Sequence, residues 1–299
     1  YDKDISAQNL FAIQEDIAAR IAAEIAEPHG VIHRTGSHLR RAETTVLDAY
    51  ECRLLASEYW RAPTAESHKR VRSLLERAVT ADPRYAGAWA MLAIVYGDEL
   101  RGGYNHQADP PPLDRALDAA KKAVEIDPMN AIGYHALFMT HFHRGEISAY
   151  KKAADRALAL NPNYPDLIAD YGSCLAFFGD WDGGYGYVKR AIDLSPHPPG
   201  WYRAFMAVYF YIKRDYEMAL EQTESVQLGA FFWGDLIRAM IYGQLGDKEA
   251  ANSAVEIARD LAPDFEETAL AALSLWNFQP ADMQHMADGW RKAGLNVKL

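Results

Sequence analysis

From Ala65 to Ala293 apolar residues recur three and four positions apart, in runs of helical length broken by short polar stretches. That spacing keeps one face of a helix apolar and predicts a chain of amphipathic α-helices. The breaks alternate between two kinds. One is a tight turn: Arg144-Gly145-Glu146, Phe178-Gly179-Asp180, Arg214-Asp215-Tyr216 and Leu245-Gly246-Asp247. Glycine supplies the positive φ that ends a helix, and aspartate caps the next one. The other closes on proline: Asp82-Pro83, Asp127-Pro128, Asn161-Pro162, Ser195-Pro196 and Ala262-Pro263. A helix does not run through the residue before a proline. Pro128, Pro162 and Pro196 are 34 residues apart, and Pro263 follows after 67, close to two further periods. A fixed period of this size predicts a solenoid of helix pairs, each burying its apolar face on its neighbours.

The first helix of each pair repeats a face. Trp89, Leu92, Ala93 and Tyr96 recur as Tyr134, Leu137, Phe138 and His141, then as Ile168, Tyr171, Gly172 and Leu175. The third residue of each set is the point of closest approach to the partner helix. Bulky Phe138 there predicts local splaying. The second helices carry Ala116, Ala123, Ala153, Ala157, Ala191, Ala219, Ala251 and Ala258 where helices cross. The repeat starting near Ala86 is longer, 45 residues between prolines. The excess, 97–112, reads as an insertion in a turn, either passive or a partner contact. After Pro263, residues 265–276 and 280–293 read as atypical terminal helices.

Ahead of the repeats, Leu10, Ile13, Ile17, Ile21 and Ile25 form one stripe of a helix over 4–26, capped by Asp4 or Ser6 and stopped by Pro28 and Gly30. Such a helix alone is marginal in water, so its stripe is expected to pack on the array. Residues 29–42 are polar and basic and read as a linker. The expected division is 1–42, N-terminal helix and linker, and 43–299, solenoid.

Composition narrows the chemistry. Of 299 residues, 49% are hydrophobic, ample for a core, and the net charge of −10 argues against a nucleic-acid partner. Cys52 and Cys174 form no CxxC pair, which points to a reducing cytoplasm. No apolar run reaches the roughly 18 residues of a membrane span. The chain begins at Tyr1 rather than Met and reads as a piece of a longer protein.

The W-x2-L-A-x2-Y spacing from Trp89 to Tyr96, with the turns and closing prolines in phase, resembles the tetratricopeptide repeat (TPR) superfamily across 44–293. The resemblance implies an all-α TPR superhelical solenoid of antiparallel helix pairs. A narrower resemblance rests on Tyr1-Asp2-Lys3-Asp4, on Leu10 through Ile17, on Ala49-Tyr50 and on Gly289 through Leu295. These look like the C-terminal region of bacterial signalling proteins in which a nucleotide cyclase or winged-helix domain and a TolB-like domain precede a TPR tail. It implies a cytoplasmic regulatory scaffold, or the tail of a cyclase whose catalytic domain lies outside this chain.

In a TPR superhelix the first helices line the concave face. The family's inward positions fall here on His135, Met139, Phe142 and His143, then on Phe177, Trp201, Tyr211 and Trp233, among others. This face is apolar and aromatic and lacks the Lys, Asn and Arg clamp for a terminal carboxylate. It predicts a protein or peptide partner, an apolar helical segment from another molecule or from this chain's own N- or C-terminal helix. Tight winding that buries these residues between repeats is the alternative reading, and self-association stays open. No enzyme motif is present (no HExxH, GxSxG, P-loop or GxGxxG), so no catalysis and no cofactor are expected. Gly183-Gly184-Tyr185-Gly186 falls on a turn and helix start and reads as close packing. His141 and His143 project about 200° apart, and His135 and His143 stand about 12 Å apart, so no metal site is expected from them. Asp98-Glu99 and Glu266-Glu267 read as caps or solvated charges.

Overall fold

The computed structural model describes residues 52, 55, 56, 58–60, 63–224 and 232–298. The expected helix over 4–26 and the linker over 29–42 lie outside the described residues. Among the described residues the regular structure is helical throughout. After the helical residues around 52–60 come α1 (Ala65–Ala81), α2 (Ala86–Arg101), α3 (Pro112–Ile126), α4 (Ala131–His143), α5 (Ile147–Leu160), α6 (Pro165–Phe177) and α7 (Trp181–Leu194). Then follow α8 (Gly200–Ile212), α9 (Tyr216–Glu224), α10 (Phe232–Leu245), α11 (Lys248–Leu261), α12 (Phe265–Leu275) and α13 (Pro280–Lys292). The boundaries match the punctuation in the sequence except at the insertion expected over 97–112, where 97–101 are the last residues of α2 and α3 begins at Pro112. The chain divides into two compact units, residues 1–168 with 190–198, and residues 169–189 with 199–299.

In the first unit Cys52, Leu55, Ala56 and Tyr59 pack with Val71, Leu75 and Ala78 of α1 and with Ala88, Leu92 and Val95 of α2. Thr64 starts α1 through a capping box with Ser67, satisfying backbone donors that the first turn leaves open. Asn130 caps α4 by accepting from Gly133 N at 2.9 Å. The crossing alanines Ala116, Ala123, Ala157 and Ala191 are fully buried, as their spacing predicts. Phe138 is also fully buried. Its ring meets Tyr150 of α5 edge-on at 5.8 Å and stacks on His135 at 5.0 Å. The α4–α5 pair therefore takes the large residue as a core side chain.

In the second unit Gly172 of α6 and Gly184 of α7 face each other. A Cβ on either would collide with the other's carbonyl oxygen. The glycine run at 183–186 thus serves helix packing. Gly183 N also donates to the Asp180 cap at 3.0 Å. The turns use φ of +106° at Gly179 and +77° at Gly246, and Arg214 takes +65° at the equivalent place. Asp215 and Asp247 cap the helices that follow, accepting from Met218 N at 3.2 Å and Ala250 N at 3.1 Å.

Candidate functional site

Two constructions stand out, one in each unit. In the first unit the insertion predicted at 97–112 is fastened by charge. Glu99 of α2 has its side chain wholly buried and faces two guanidinium groups. Arg72 Nη1 donates to it at 2.9 Å, and Arg115 grips both carboxylate oxygens at 2.9 and 2.7 Å. Gln107 N adds a third kind of donor at 3.1 Å. Arg115 also donates to Pro110 O and Gln107 O, which ties the loop to α3. Tyr96 lies between the two arginines, 4.6 Å from the Arg115 guanidinium and 5.6 Å from that of Arg72. Burial pushes the Tyr96 hydroxyl up to about 12, and its bond to Glu76 adds to the shift. Fork-shaped Arg–carboxylate pairing of this kind fixes geometry as well as charge. Glu99 is therefore no solvated charge, contrary to the sequence expectation. Its neighbour Asp98 points elsewhere, accepting from the Tyr59 hydroxyl at 3.0 Å and pairing with Arg101. Burial raises the Asp98 pKa against the pull of Arg101.

The loop's other attachments are polar as well. Asn105 donates to Ala65 O at 2.7 Å and lies 3.1 Å from His68 Nδ1, and the Tyr104 hydroxyl reaches Pro63 O. His68 is fully buried, with Nε2 3.0 Å from Val95 O. The insertion is a built part of this unit, while Gly102, Gly103 and 105–111 stay exposed.

In the second unit the C-terminal segment lies on the first helices. Its polar contacts reach Phe177 of α6, Tyr211 of α8, and Leu236 and Gln244 of α10. Gln279 Nε2 donates to Phe177 O at 3.1 Å. The Tyr211 hydroxyl donates to His285 O at 2.8 Å and accepts from Gln244 Nε2 at 3.1 Å. Gln244 also reaches Asp288 Oδ2 at 3.0 Å and accepts from Lys292 Nζ at 2.8 Å. Trp290 Nε1 donates to Leu236 O at 2.8 Å, with its side chain fully buried. Two glycines allow this approach. A Cβ on Gly243 of α10 would strike the backbone of Gly289, and one on Gly289 would strike Tyr211 and Met240. Aromatic rings close one end: Phe278 sits 4.5 Å from Phe177 and 6.2 Å from Trp181, and Trp181 stacks on Phe205 at 6.0 Å. Trp181 Nε1 donates to Asp282 at 2.9 Å.

The His285 ring lies tilted against that of Tyr211 at 4.6 Å, with Nε2 3.3 Å from Tyr211 O and 3.4 Å from the Tyr216 hydroxyl. Burial lowers its pKa below the ordinary histidine value. The bond to Tyr211 O and the charge of Asp288 oppose that shift, while Arg214 and Lys292 reinforce it. Burial likewise pushes the Tyr211 hydroxyl well above the ordinary tyrosine range.

The predicted face residues thus have assigned neighbours. In the first unit His135, Met139 and Phe142 are buried, and His143 is half-buried with its ring edge-on to Phe142 at 5.0 Å. His141 pairs with Glu146 across the turn at 2.6 Å. In the second unit Phe177 and Tyr211 touch the C-terminal segment. Trp233 is half-buried and meets Phe265 edge-on at 5.7 Å, and Phe265 meets Trp290 at 4.9 Å. Trp201 is half-buried beside Tyr202. Sequence reasoning missed Trp181, Phe205, Gly243, Phe278, Gly289 and Trp290. The legible signal was a glycine inside each of two amphipathic helices, which costs helix stability unless something approaches closely.

No helix among the described residues is long and apolar enough to cross a membrane. No protein-family model matches the sequence, and no curated protein sequence matches it. Solved structures do. The APC/C hetero-tetramer Cut9–Hcn1 is similar over 92% of this chain and 48% of its own, at 14% identity and a TM-score of 0.60. The human IFIT1 dimer with PPP-AAAA is similar over 95% of this chain and 71% of its own, at 14% identity and a TM-score of 0.60. PilF of Pseudomonas aeruginosa is similar over 73% of this chain and 94% of its own, at 18% identity and a TM-score of 0.49. The chain spans about half the length of the first of these. At such identities the likeness is one of fold, and the fold is an all-α solenoid of tetratricopeptide-type helix pairs.

Proposed function

We propose that this chain is a non-catalytic protein-interaction module whose first-helix face receives apolar helical segments, and that in the second unit the occupant is its own C-terminal helix. One observation carries the reading. α13 crosses the inward positions of α8 and α10, with Gly289 at the closest approach and Trp290 as anchor. This is the chemistry of helix-in-groove recognition, applied within one chain. The narrower resemblance extends the proposal: the module is a regulatory part of a longer bacterial cytoplasmic signalling protein, a nucleotide cyclase being the second reading.

The test vacates the face. A Gly289→Asp variant carries a side chain where none fits, so α13 leaves while the other helices remain. Circular dichroism reports the retained helices, and anisotropy of a labelled peptide of residues 276–298 reports uptake. Saturable uptake by the variant, well above that of the parent chain, supports the reading. Loss of all helical signal in one transition would show α13 to be an ordinary core helix and defeat it. The cyclase reading predicts that these residues alone turn over neither ATP nor GTP and that an upstream reading frame encodes the catalytic domain.

A further inference from the structure

The two ends of the exposed loop between α2 and α3 are held by different chemistry. Glu99 and Arg115 clamp the second half by charge. The first half rests on His68 of α1. His68 is fully buried, its ring edge-on to Tyr59 at 5.7 Å and tilted against Tyr104 of the loop at 5.8 Å. Nε2 stands 3.0 Å from Val95 O, an acceptor, so Nε2 carries the ring proton. Nδ1 stands 3.1 Å from Asn105 Nδ2, and the same Nδ2 donates to Ala65 O at 2.7 Å. The bond to Ala65 O fixes which way round the amide sits, so Asn105 donates and Nδ1 accepts. Both ring nitrogens are thereby assigned, and the imidazole that fits is the neutral one.

A proton on Nδ1 turns that nitrogen into a donor and sets it against the Asn105 donor. Turning the amide over to offer its oxygen sacrifices the bond to Ala65 O. The charged and titratable groups of the packed elements are Tyr59 ahead of α1, Arg72 on α1, Asp98, Glu99 and Arg101 on α2, and Tyr104 on the loop. Tyr59 donates to Asp98, Asp98 pairs with Arg101, Glu99 is gripped by Arg72, and the Tyr104 hydroxyl reaches Pro63 O. Asp98 favours a proton on His68 and the arginines oppose it, but the atom that faces Nδ1 is the Asn105 nitrogen. The loop backbone is set to respond. Asn105 takes a φ of +48° and Gly103 one of +66°, so Tyr104 stands between two left-handed residues. A residue other than glycine keeps such a conformation where its surroundings hold it, and here its own side chain makes the hold.

We propose that His68 and Asn105 form an acid-released latch: a proton taken up at His68 Nδ1 ejects Asn105 and lifts residues 102–106 off α1, while Glu99 and Arg115 keep 107–111 in place. The closed loop holds Nδ1 free of a proton, and the lifted loop exposes it to water. The open form therefore binds more protons, and acid favours opening. One proton raises the opening constant by up to about tenfold per pH unit. The latch belongs to the first unit and does not depend on how α13 is held.

A nitroxide on the loop tests it in the full chain. His106 is exposed, and His106→Cys gives a labelling site beside the latch while Cys52 and Cys174 are buried. The same change removes the loop's other histidine. The mobile component of the nitroxide spectrum should grow several-fold between about pH 8 and pH 5 and reverse on return. Added His68→Gln, whose amide can still donate to Val95 O and accept from Asn105, should abolish that response. Asn105→Asp should reverse its sign, because a carboxylate accepts from protonated His68 and repels the lone pair of the neutral ring. A spectrum that does not change with pH overturns the latch, and so does the same response in His68→Gln. If His68→Gln leaves the loop mobile at every pH, Asn105→Asp decides: mobility that falls on acidification supports the latch, and mobility that rises or stays level overturns it.

Discussion

Gly289 sets its backbone against the hydroxyl of Tyr211 so closely that no side chain fits between them. The same hydroxyl donates to His285 O, one turn earlier on α13. One tyrosine thus fixes both the depth and the register of the terminal helix.

The first prediction follows from this contact and its counterpart on α10. Gly243→Ala places a methyl against the Gly289 carbonyl and the Ala293 nitrogen, backbone atoms that cannot turn aside. Overpacking of this kind costs about 1–3 kcal/mol. Gly186→Ala on α7, where a Cβ meets nothing within 4 Å, should stabilise by about 0.5–1 kcal/mol. Urea midpoints of the two variants must move in opposite directions. A shared direction would refute the packing argument.

Glu99→Ala should be among the most damaging changes in the first unit. It leaves Arg72 and Arg115 facing a void, and breaking a buried pair costs about 3–5 kcal/mol. Amide hydrogen exchange of 102–111 should accelerate most, because Gln107 loses its acceptor and Arg115 its anchor. Uniform acceleration across both units would contradict this.

Arg214 occupies a left-handed turn where Gly145, Gly179 and Gly246 stand in the other turns. A left-handed conformation costs a non-glycine residue roughly 1–2 kcal/mol. Arg214→Gly should therefore stabilise by about 0.5–1 kcal/mol after the entropy of the unfolded glycine is counted. Thermal melts decide the sign.

His285 makes docking of α13 sensitive to acid. Its pKa in the folded chain lies below the ordinary 6.5, burial being the main cause. The unfolded chain binds the proton more readily, so stability rises with pH. The contribution is complete above about 6.5 and is lost as pH falls through the lowered folded value. Denaturant midpoints of the second unit should drop between about pH 7 and pH 5, and His285→Gln should flatten the slope. An unchanged slope in the variant assigns the acid sensitivity to another group.

Phe142 and Trp201 differ in burial. Phe142 is fully buried and meets Tyr150 at 6.2 Å, so Phe142→Ala should cost about 3–5 kcal/mol. Half-buried Trp201 should cost clearly less on replacement by alanine. Chemical denaturation of both variants gives the comparison.

These contrasts mark what the sequence discloses. Period, turns and closing prolines are local signals, so helices such as 265–275 and 280–292 emerge within a residue of where spacing puts them. Phe177 and Tyr211 are singled out by helical phase alone, and both bond the C-terminal segment. Which segment covers it is a long-range fact. Nothing near Tyr211 marks His285 as its neighbour, 74 positions on. Glu99 was misread for the same reason: Arg72 and Arg115 stand 27 and 16 residues away, and a carboxylate beside Asp98 on a helix looks solvated until the loop folds over it.

The facing pair Gly172 and Gly184 has a consequence for how this sequence can drift. Each carbonyl occupies the space the other's side chain would need. A change at one position cannot be rescued by a change at the other, because both alternatives add volume to the same gap. The crossing of α6 and α7 is thus a dead end for substitution, and homologous chains should differ around it long before they differ at it.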